Sequence, residues 1–480
     1  MPRKTPTVSI EVPAELAQAL RAILEHMGQF TRAAVDSKVD FADAERVLGS
    51  LVGELECSAI ARMLEALDPT TDFVDVDGVV YRRMDLDVHG HYLGLRGEVR
   101  VQRGLFRRQG VRNGPTVVPL DLRAGIVEGR YTPAAAKLAA TLALEMPSRS
   151  AELVCRSAGI LPHSRAAQDR IGVAVGQRWE VLREAAEVGL AETLELPPSA
   201  TTVAVAVDRI SLPMAEARPV TANDRAAGIK KPLTVTYRMA FVGAVTVYDD
   251  KGEPTATIRH AHIAEGGAAN MEASFRRDLD ALLSRRPDLL VVTLADGAPE
   301  MQNILDRATA NVPVAARIVD FYHCVEHLAA AIGGTGRYVP DQLADWKEML
   351  LTEPEAAETI LLHLRVWERE YAAEACPPGL HGALTYLDNN KDRLRYAEAR
   401  AAGLPIGSGI VEATGKTIVQ VRMKRAGARW LPTGAQAIMG LRAAGTSSGD
   451  RWDATMAQVL ASYTGDVKPP KRKRVRKDAK

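Results

Sequence analysis

The chain has 480 residues and is 46% hydrophobic, apolar material enough for several cores, and its length points to roughly two to four domains. Its 61 lysines and arginines meet 60 aspartates and glutamates, which excludes a globally basic binder: any affinity for nucleic acid must come from local patches. No run reaches the roughly eighteen apolar residues of a membrane span, and MPRKTPTVSIEVPAEL lacks a signal-peptide core, so a cytoplasmic protein with no membrane partner is expected. Cys57, Cys155, Cys324 and Cys376 form no CxxC pair, which argues against a zinc ribbon or a disulfide framework.

In chain order, residues 1–70 repeat apolar side chains at three and four in ELAQALRAILEHMGQF and FADAERVLGSLVGELECSAIARMLEAL. These are helices that pack on each other or on a second copy. Over 71–130 the texture changes to GVVYRRM and LRGEVRVQRGLFRRQG, a small β-rich module. Its Arg96, Arg100, Arg103, Arg107, Arg108 and Arg112 suit phosphate contact or simple solvation. Over 131–200, three helical segments are separated by turns near Pro147 and Pro162. The third follows a cap-like Ser164 and presents Arg165, Gln168, Asp169 and Arg170 in its first turns, a helix-turn-helix texture that a plain bundle shares.

From Thr201 the order sharpens. TTVAVAVDRI predicts a buried-type strand ending at Asp208, and PLTVTYRMAFVGAVTVYD and TATIRHAHIA predict two more. A helix, the strand DLLVVTLAD ending at Asp296, a helix from Pro299, the strand VAARIVDF and a helix near His323 follow. The succession β-β-β-α-β-α-β-α over 201–325 is that of a ribonuclease H-like mixed sheet whose first strand lies beside its fourth. Residues 326–403 read as an all-helical insertion, and 404–446 bring the final helix of the core. Over 447–480 the pattern is lost, and the chain closes on the basic KPPKRKRVRKDAK, which solvates the chain or binds phosphates. The fold class expected is multidomain α+β, a catalytic core preceded by helical and small β-rich DNA-binding modules.

Asp208 and Asp296, at the ends of neighbouring parallel strands, point to one edge of the sheet, where ligands bind in open sheets. The segment PIGSGIVEATGKTIVQVRMKRAGARW, residues 405–430, sets Glu412 in a basic helix capped by Ser408 or a neighbouring glycine and stopped at Gly427. Glu412 and Lys416 could simply pair along that helix. Three carboxylates in this order suit two Mg2+ ions, with Mn2+ as substitute, at a site for phosphoryl displacement.

Asp208 in VAVAVDRISLPM, Asp296 in TLADGAPEM, DFYHCVEHL from Asp320, and PIGSGIVEATGK around Glu412 resemble the signature blocks of bacterial insertion-sequence transposases of the DDE class. The resemblance is to the ISKra group, allied to the Mutator-like transposases, and RMKRAGARW, GAQAIMGLRAA and Arg451-Trp452 share it. It implies that Asp208, Asp296 and Glu412 are a metal-binding catalytic triad, and that Asp320 and His323 form a D-x-x-H element that positions groups or DNA. It also implies that double-stranded DNA, as transposon ends and target, is the partner of a homodimer or larger assembly. Lys416, Arg422, Lys424, Arg425, Arg165, Gln168 and Arg170 are the expected DNA contacts, and Trp430 either stacks on an unpaired base or belongs to the core. Many members of the group carry a cysteine-containing element upstream. Here VRVQRGLFRRQGVRNGPTVVPLDL has no cysteine, so either packing holds that module or the recognition of transposon ends has changed. A nuclease of the same fold that cuts without joining, or a DNA-binding protein with a retired core, is the alternative.

Overall fold

The computed structural model describes residues 9, 11–35, 40–161, 164–263, 266–336, 341–371 and 375–470. The turn expected at Pro162, most of the N-terminal MPRKTPTVSI and the basic tail beyond residue 470 lie outside them. The protein is a mixed α+β chain that divides into two compact units, Met1–Val175 with Met456–Lys480, and Gly176–Thr455.

In the first unit, α1 (Ala14–Val35) and α2 (Phe41–Glu65) pack on each other, with Phe30 and Phe41 edge to face at 5.8 Å. Asp40 caps α2 by accepting from the Asp43 amide. An antiparallel sheet follows, of β1 (Phe73–Val76), β2 (Val79–Leu93), β3 (Glu98–Arg108) and β4 (Thr116–Val117). Its fifth strand, Val467–Lys468, comes from the C-terminal region and pairs with β1. The region expected to lose pattern therefore holds this strand and a helix, Arg451–Ala461. β3 alternates as a half-buried strand should: Val99 and Val101 join Leu64, Tyr92, Leu120 and Ile126 in one core, while Arg100 and Gln102 face outward. Beneath the sheet the Arg103 guanidinium meets Asp121 at 3.0 Å, and the Tyr92 hydroxyl donates to the same carboxylate. The cysteine-free stretch thus packs on this apolar core and carries the Arg103–Asp121 ion pair. Helices α3 (Pro119–Ala124), α4 (Pro133–Glu145) and α5 (Ser148–Ala158) complete the unit, and α6 (Arg165–Glu192) carries the chain onward.

The second unit is built on β5 (Ala200–Ala217), β6 (Leu233–Asp249) and β7 (Pro254–Ile263), with the short α7 (Ala222–Ala226) between the first two. Then come α8 (Gly267–Arg285), β8 (Leu290–Ala295), α9 (Pro299–Ala308) and β9 (Val314–Val319). The sheet order is β7-β6-β5-β8-β9, antiparallel through β7, β6 and β5 and parallel through β5, β8 and β9. The first strand lies beside the fourth, as the succession requires. Val203, Val205 and Val207 face a core shared with Phe275 and Leu279 of α8 and with Met301 and Ile304 of α9. Fully burying one such side chain is worth about 1.5–3 kcal/mol.

A buried ionic cluster joins α6, β7 and α8. His260 lies 2.5 Å from Asp278, and Arg183 lies 2.5 Å from Glu187. Burial alone would lower the imidazole pKa, but the charges of Asp278 and Glu187 outweigh it and hold the His260 value above the ordinary one.

After β9 the chain is helical through α10 (Phe321–Thr335), α11 (Gln342–Thr352), α12 (Ala356–Glu368), α13 (Pro378–Asn390) and α14 (Tyr396–Ala401). α10 and α13 touch where Gly379 lacks a side chain: a Cβ there would lie 2.2 Å from the Ala330 carbonyl oxygen. Gly379→Ala is therefore expected to lower stability by about 1–3 kcal/mol, the range for overpacking, read as a lower urea midpoint at unchanged slope. The chain returns through α15 (Gly409–Gly415), a π-helical turn Lys416–Gln420, α16 (Val421–Met423) and α17 (Pro432–Gly445). α15 lies on the sheet face opposite α8: a Cβ on Gly415 would meet Ile210 at 2.4 Å and Val242 at 3.5 Å.

Candidate active site

The parallel ladder sets three aspartates in a row. Ala206 of β5 pairs with Leu294 of β8, and Leu294 with Ile318 of β9. Carrying both registers on by two residues brings Asp208, Asp296 and Asp320 side by side at the carboxyl edge of the parallel strands. Asp296 is the first residue past β8, as expected. Asp208 is not at a strand end: β5 runs on to Ala217, paired with β6 throughout, and only the β5–β8 ladder stops beside it. Pro213 is tolerated within the strand because of where its nitrogen points. The Ala215 amide donates to the Trp430 carbonyl and so faces away from β6; two residues earlier Pro213 faces the same way, where a missing N–H costs no ladder bond.

Asp320 is fully buried and caps α10. Its Oδ1 accepts from the His323 amide at 2.8 Å, and its Oδ2 accepts from the Ser408 amide. The Phe321 amide donates to the Ile406 carbonyl at 3.0 Å, so residues 406–408 lie against the end of β9. Ser408 occupies the N-cap position of α15, but its hydroxyl makes no cap there; its amide is what holds the helix start in place. From that start Glu412 projects, exposed, one turn into α15. The ligand atoms of Asp320, His323 and Glu412 all lie within 4.8 Å of one another.

Burial raises the Asp208 carboxyl above the ordinary aspartate value, against the Arg209 amide that donates to it at 2.6 Å. The negative charges of Asp296 and Glu412 raise it further, while His323 opposes them. The edge is thus a place where acids crowd with one imidazole among them. All its donors but that one are oxygens, the set a hard divalent cation takes.

The helix after Glu412 is not continuous. The π-helical turn Lys416–Gln420 interrupts it, and helical structure ends at Met423, ahead of the stop expected at Gly427. Such a turn displaces backbone carbonyls from their usual partners. Arg442, buried in α17, donates to the carbonyls of Ile418 (3.0 Å) and Thr417. Arg442→Met is expected to cost about 1–3 kcal/mol, the penalty for a buried acceptor left unsatisfied, and calorimetry will show it as a lower Tm.

The expected DNA contacts separate into two groups. Lys416, Lys424, Arg425, Arg165 and Arg170 are exposed. Arg422 is not available to phosphates: it is buried, with its guanidinium 5.0 Å from the centre of the Trp430 ring. Trp430 in turn donates its indole N–H to the Met423 carbonyl at 3.0 Å, and its backbone bridges to Met214. Both residues fasten α16 to β5. Gln168 is also buried, donating to the Ala139 carbonyl at 2.6 Å, because it lies on the inward side of α6.

Two side chains near the site escape a reading of the sequence. Tyr386 of α13 donates its hydroxyl to the Asp296 carbonyl at 3.1 Å, and His327 of α10 stacks on its ring at 3.8 Å. Gly297, at φ 89°, makes the turn that lets α13 come so close. Only the Gly after Asp296 signals this in the sequence.

The chain matches no protein family profile and no curated protein. Among solved structures it is similar to a Drosophila P element transposase strand transfer complex, with 11% identity and a TM-score of 0.24, over 68% of this chain and 80% of that one. A likeness so slight carries no argument about function.

Proposed function

We propose that this chain is a DNA transposase of the DDE class, akin to the ISKra group, with a ribonuclease H-like core that cleaves and joins DNA strands. The observation that carries the reading is the crowding of acids: Asp208 stands beside Asp296 in register and feels the charges of both Asp296 and Glu412. An aspartate held partly buried among other acids is unfavourable unless a cation is meant to join them.

Asp208, Asp296 and Glu412 would hold Mg2+, as two ions, or Mn2+. When bound, the ions would stabilise negative charge on the attacking and leaving oxygens of the phosphodiester. The protein's own part is to fix the donors. β5 and β8 aim the two aspartates, α15 delivers Glu412, and Asp320 ties α15 to α10 so that His323 and Glu412 face each other. Tyr386 holds the Asp296 turn from behind. Water cuts the strand first, and the freed 3′-hydroxyl then attacks target DNA, so no covalent protein–DNA bond is required. Lys416, Lys424, Arg425, Arg165 and Arg170 serve as phosphate contacts, and joining two transposon ends calls for at least a dimer.

The test is an assay with purified protein and a DNA fragment carrying the gene with its flanking inverted repeats. Mg2+-dependent cutting at the repeat ends, followed by joining to a plasmid, is expected. Cutting without joining would identify a nuclease instead. Binding with no cutting in either Mg2+ or Mn2+ would identify a retired core.

A further inference from the structure

The strand that carries Asp208 continues beyond the sheet. β8 pairs with β5 only as far as Ala206, and β7 pairs with β6 only from Ala240 onward. Past those points β5 and β6 form a two-stranded ribbon, in register from Ser211 opposite Met239 to Ala217 opposite Leu233. It is a braced element: Arg238 grips Glu216 through two bonds of 2.6 and 2.9 Å. At the tip Arg218 grips Asp224 at 2.6 and 2.8 Å, and Thr221 and Asp224 close a capping box over α7.

Two features of the ribbon stand exposed among the described residues. Leu233, Val235, Tyr237 and Met239 occupy alternate positions of β6, hence one face, and are 53%, 41%, 69% and 42% exposed. At the tip, Arg225, Lys230 and Lys231 are exposed, and none forms an ion pair among the described residues. The arginines beside them are matched by carboxylates, so these three leave the tip with unbalanced positive charge. An apolar stripe leading to an unpaired cationic tip is complementary to a duplex, whose deoxyribose C–H groups and thymine methyls are apolar and whose rim is phosphate.

We propose that the β5–β6 ribbon is a DNA-docking arm. The proposal rests on the reading that DNA is the substrate, and it adds where the duplex lies. From Asp208 to Ala217 the strand rises about 30 Å at roughly 3.3 Å per residue. At about 3.4 Å per base pair, that covers about nine base pairs of the flank beside the cut. The stripe packs into a groove, and Arg225, Lys230 and Lys231 take the phosphates at its far end.

The experiment measures fluorescence anisotropy of a labelled 40-base-pair duplex of random sequence with the full chain in EDTA, across a salt series. Arg225→Ala/Lys230→Ala/Lys231→Ala is expected to weaken binding about tenfold or more and to lower the salt slope by roughly 2 to 3. Tyr237→Ser/Met239→Ser is expected to weaken binding about tenfold with the slope unchanged, because it removes no charge. Each variant should keep the Mn2+-induced rise in Tm of the parent, which establishes that the core is folded. Wild-type affinity and slope in the triple variant overturn the arm while leaving the proposed function standing. A stripe variant that turns a dimer into a monomer in sedimentation, at unchanged DNA affinity, also overturns it and assigns the stripe to a second copy of the chain. A wild-type chain that binds no duplex overturns the function itself.

Discussion

Asp208→Asn should abolish strand cleavage and yet stabilise the metal-free protein. The loss is expected to be about 10³-fold, the scale on which a single electrostatic partner of a developing oxyanion contributes. Asp296→Asn and Glu412→Gln should lose activity on the same scale, and cleavage at wild-type rate in any of the three would sink the triad. The gain in stability follows from the raised Asp208 pKa. A carboxyl whose folded pKa lies above its unfolded value, about 3.9, binds its proton more tightly when folded. Its ionisation therefore opposes folding, fully above the folded pKa and not at all below the unfolded one. In EDTA, urea midpoints of Asp208→Asn should exceed those of wild type at pH 7, and the difference should vanish as pH falls through about 4. With Mn2+ present the order should reverse, because wild type gains binding energy that the variant lacks.

Asp320→Ala is the larger structural lesion. One carboxylate serves two amides from separate elements, those of His323 and Ser408, in a fully buried place. Removing it deletes the α10 cap, worth about 1 kcal/mol, and strands a buried amide at about 1–3 kcal/mol, so a loss of about 2–4 kcal/mol is expected in urea titration. Because Ser408 sets the start of α15, Glu412 should lose its place as well. Cleavage in Asp320→Ala should then fall through kcat with KM little changed. Asp320→Asn, which keeps one acceptor oxygen, should recover part of both stability and rate. A fall in stability with kcat unaltered would leave Asp320 a structural residue alone.

The succession of elements in the second unit is legible because its strands are short apolar runs bounded by turn residues, as in DLLVVTLADGAPE. Asp296 could be placed for the same reason, at the change from an apolar run to turn residues. Glu412, inside a helix, is singled out only by the company of the two aspartates and by the resemblance of PIGSGIVEATGK. The continuation of β5 was not legible. Ile210 to Ala217 contain a proline and mix polar with apolar residues, and only pairing with β6 makes them a strand. Arg422 and Gln168 misled for a related reason. Their burial depends on Trp430 and on the Ala139 carbonyl, partners that no helical spacing reveals. Arg442 had a visible clue, a lone charge inside the apolar GAQAIMGLRAA, though not the π-helical turn it serves. The strand Val467–Lys468 finds its partner in β1, almost the whole chain away, and two residues carry no pattern of their own.

The clasp at Asp320, Phe321, Ile406 and Ser408 has an evolutionary side. It joins the two ends of the helical stretch from α10 to α14, so that stretch hangs from a closed neck. Once a loop's ends are fixed, doubling its length costs only about 0.6 kcal/mol of closure entropy. Descendants of this protein can therefore lengthen, shorten or exchange the suspended helices without displacing Glu412, provided that a helix like α13 still carries a tyrosine back to the Asp296 turn.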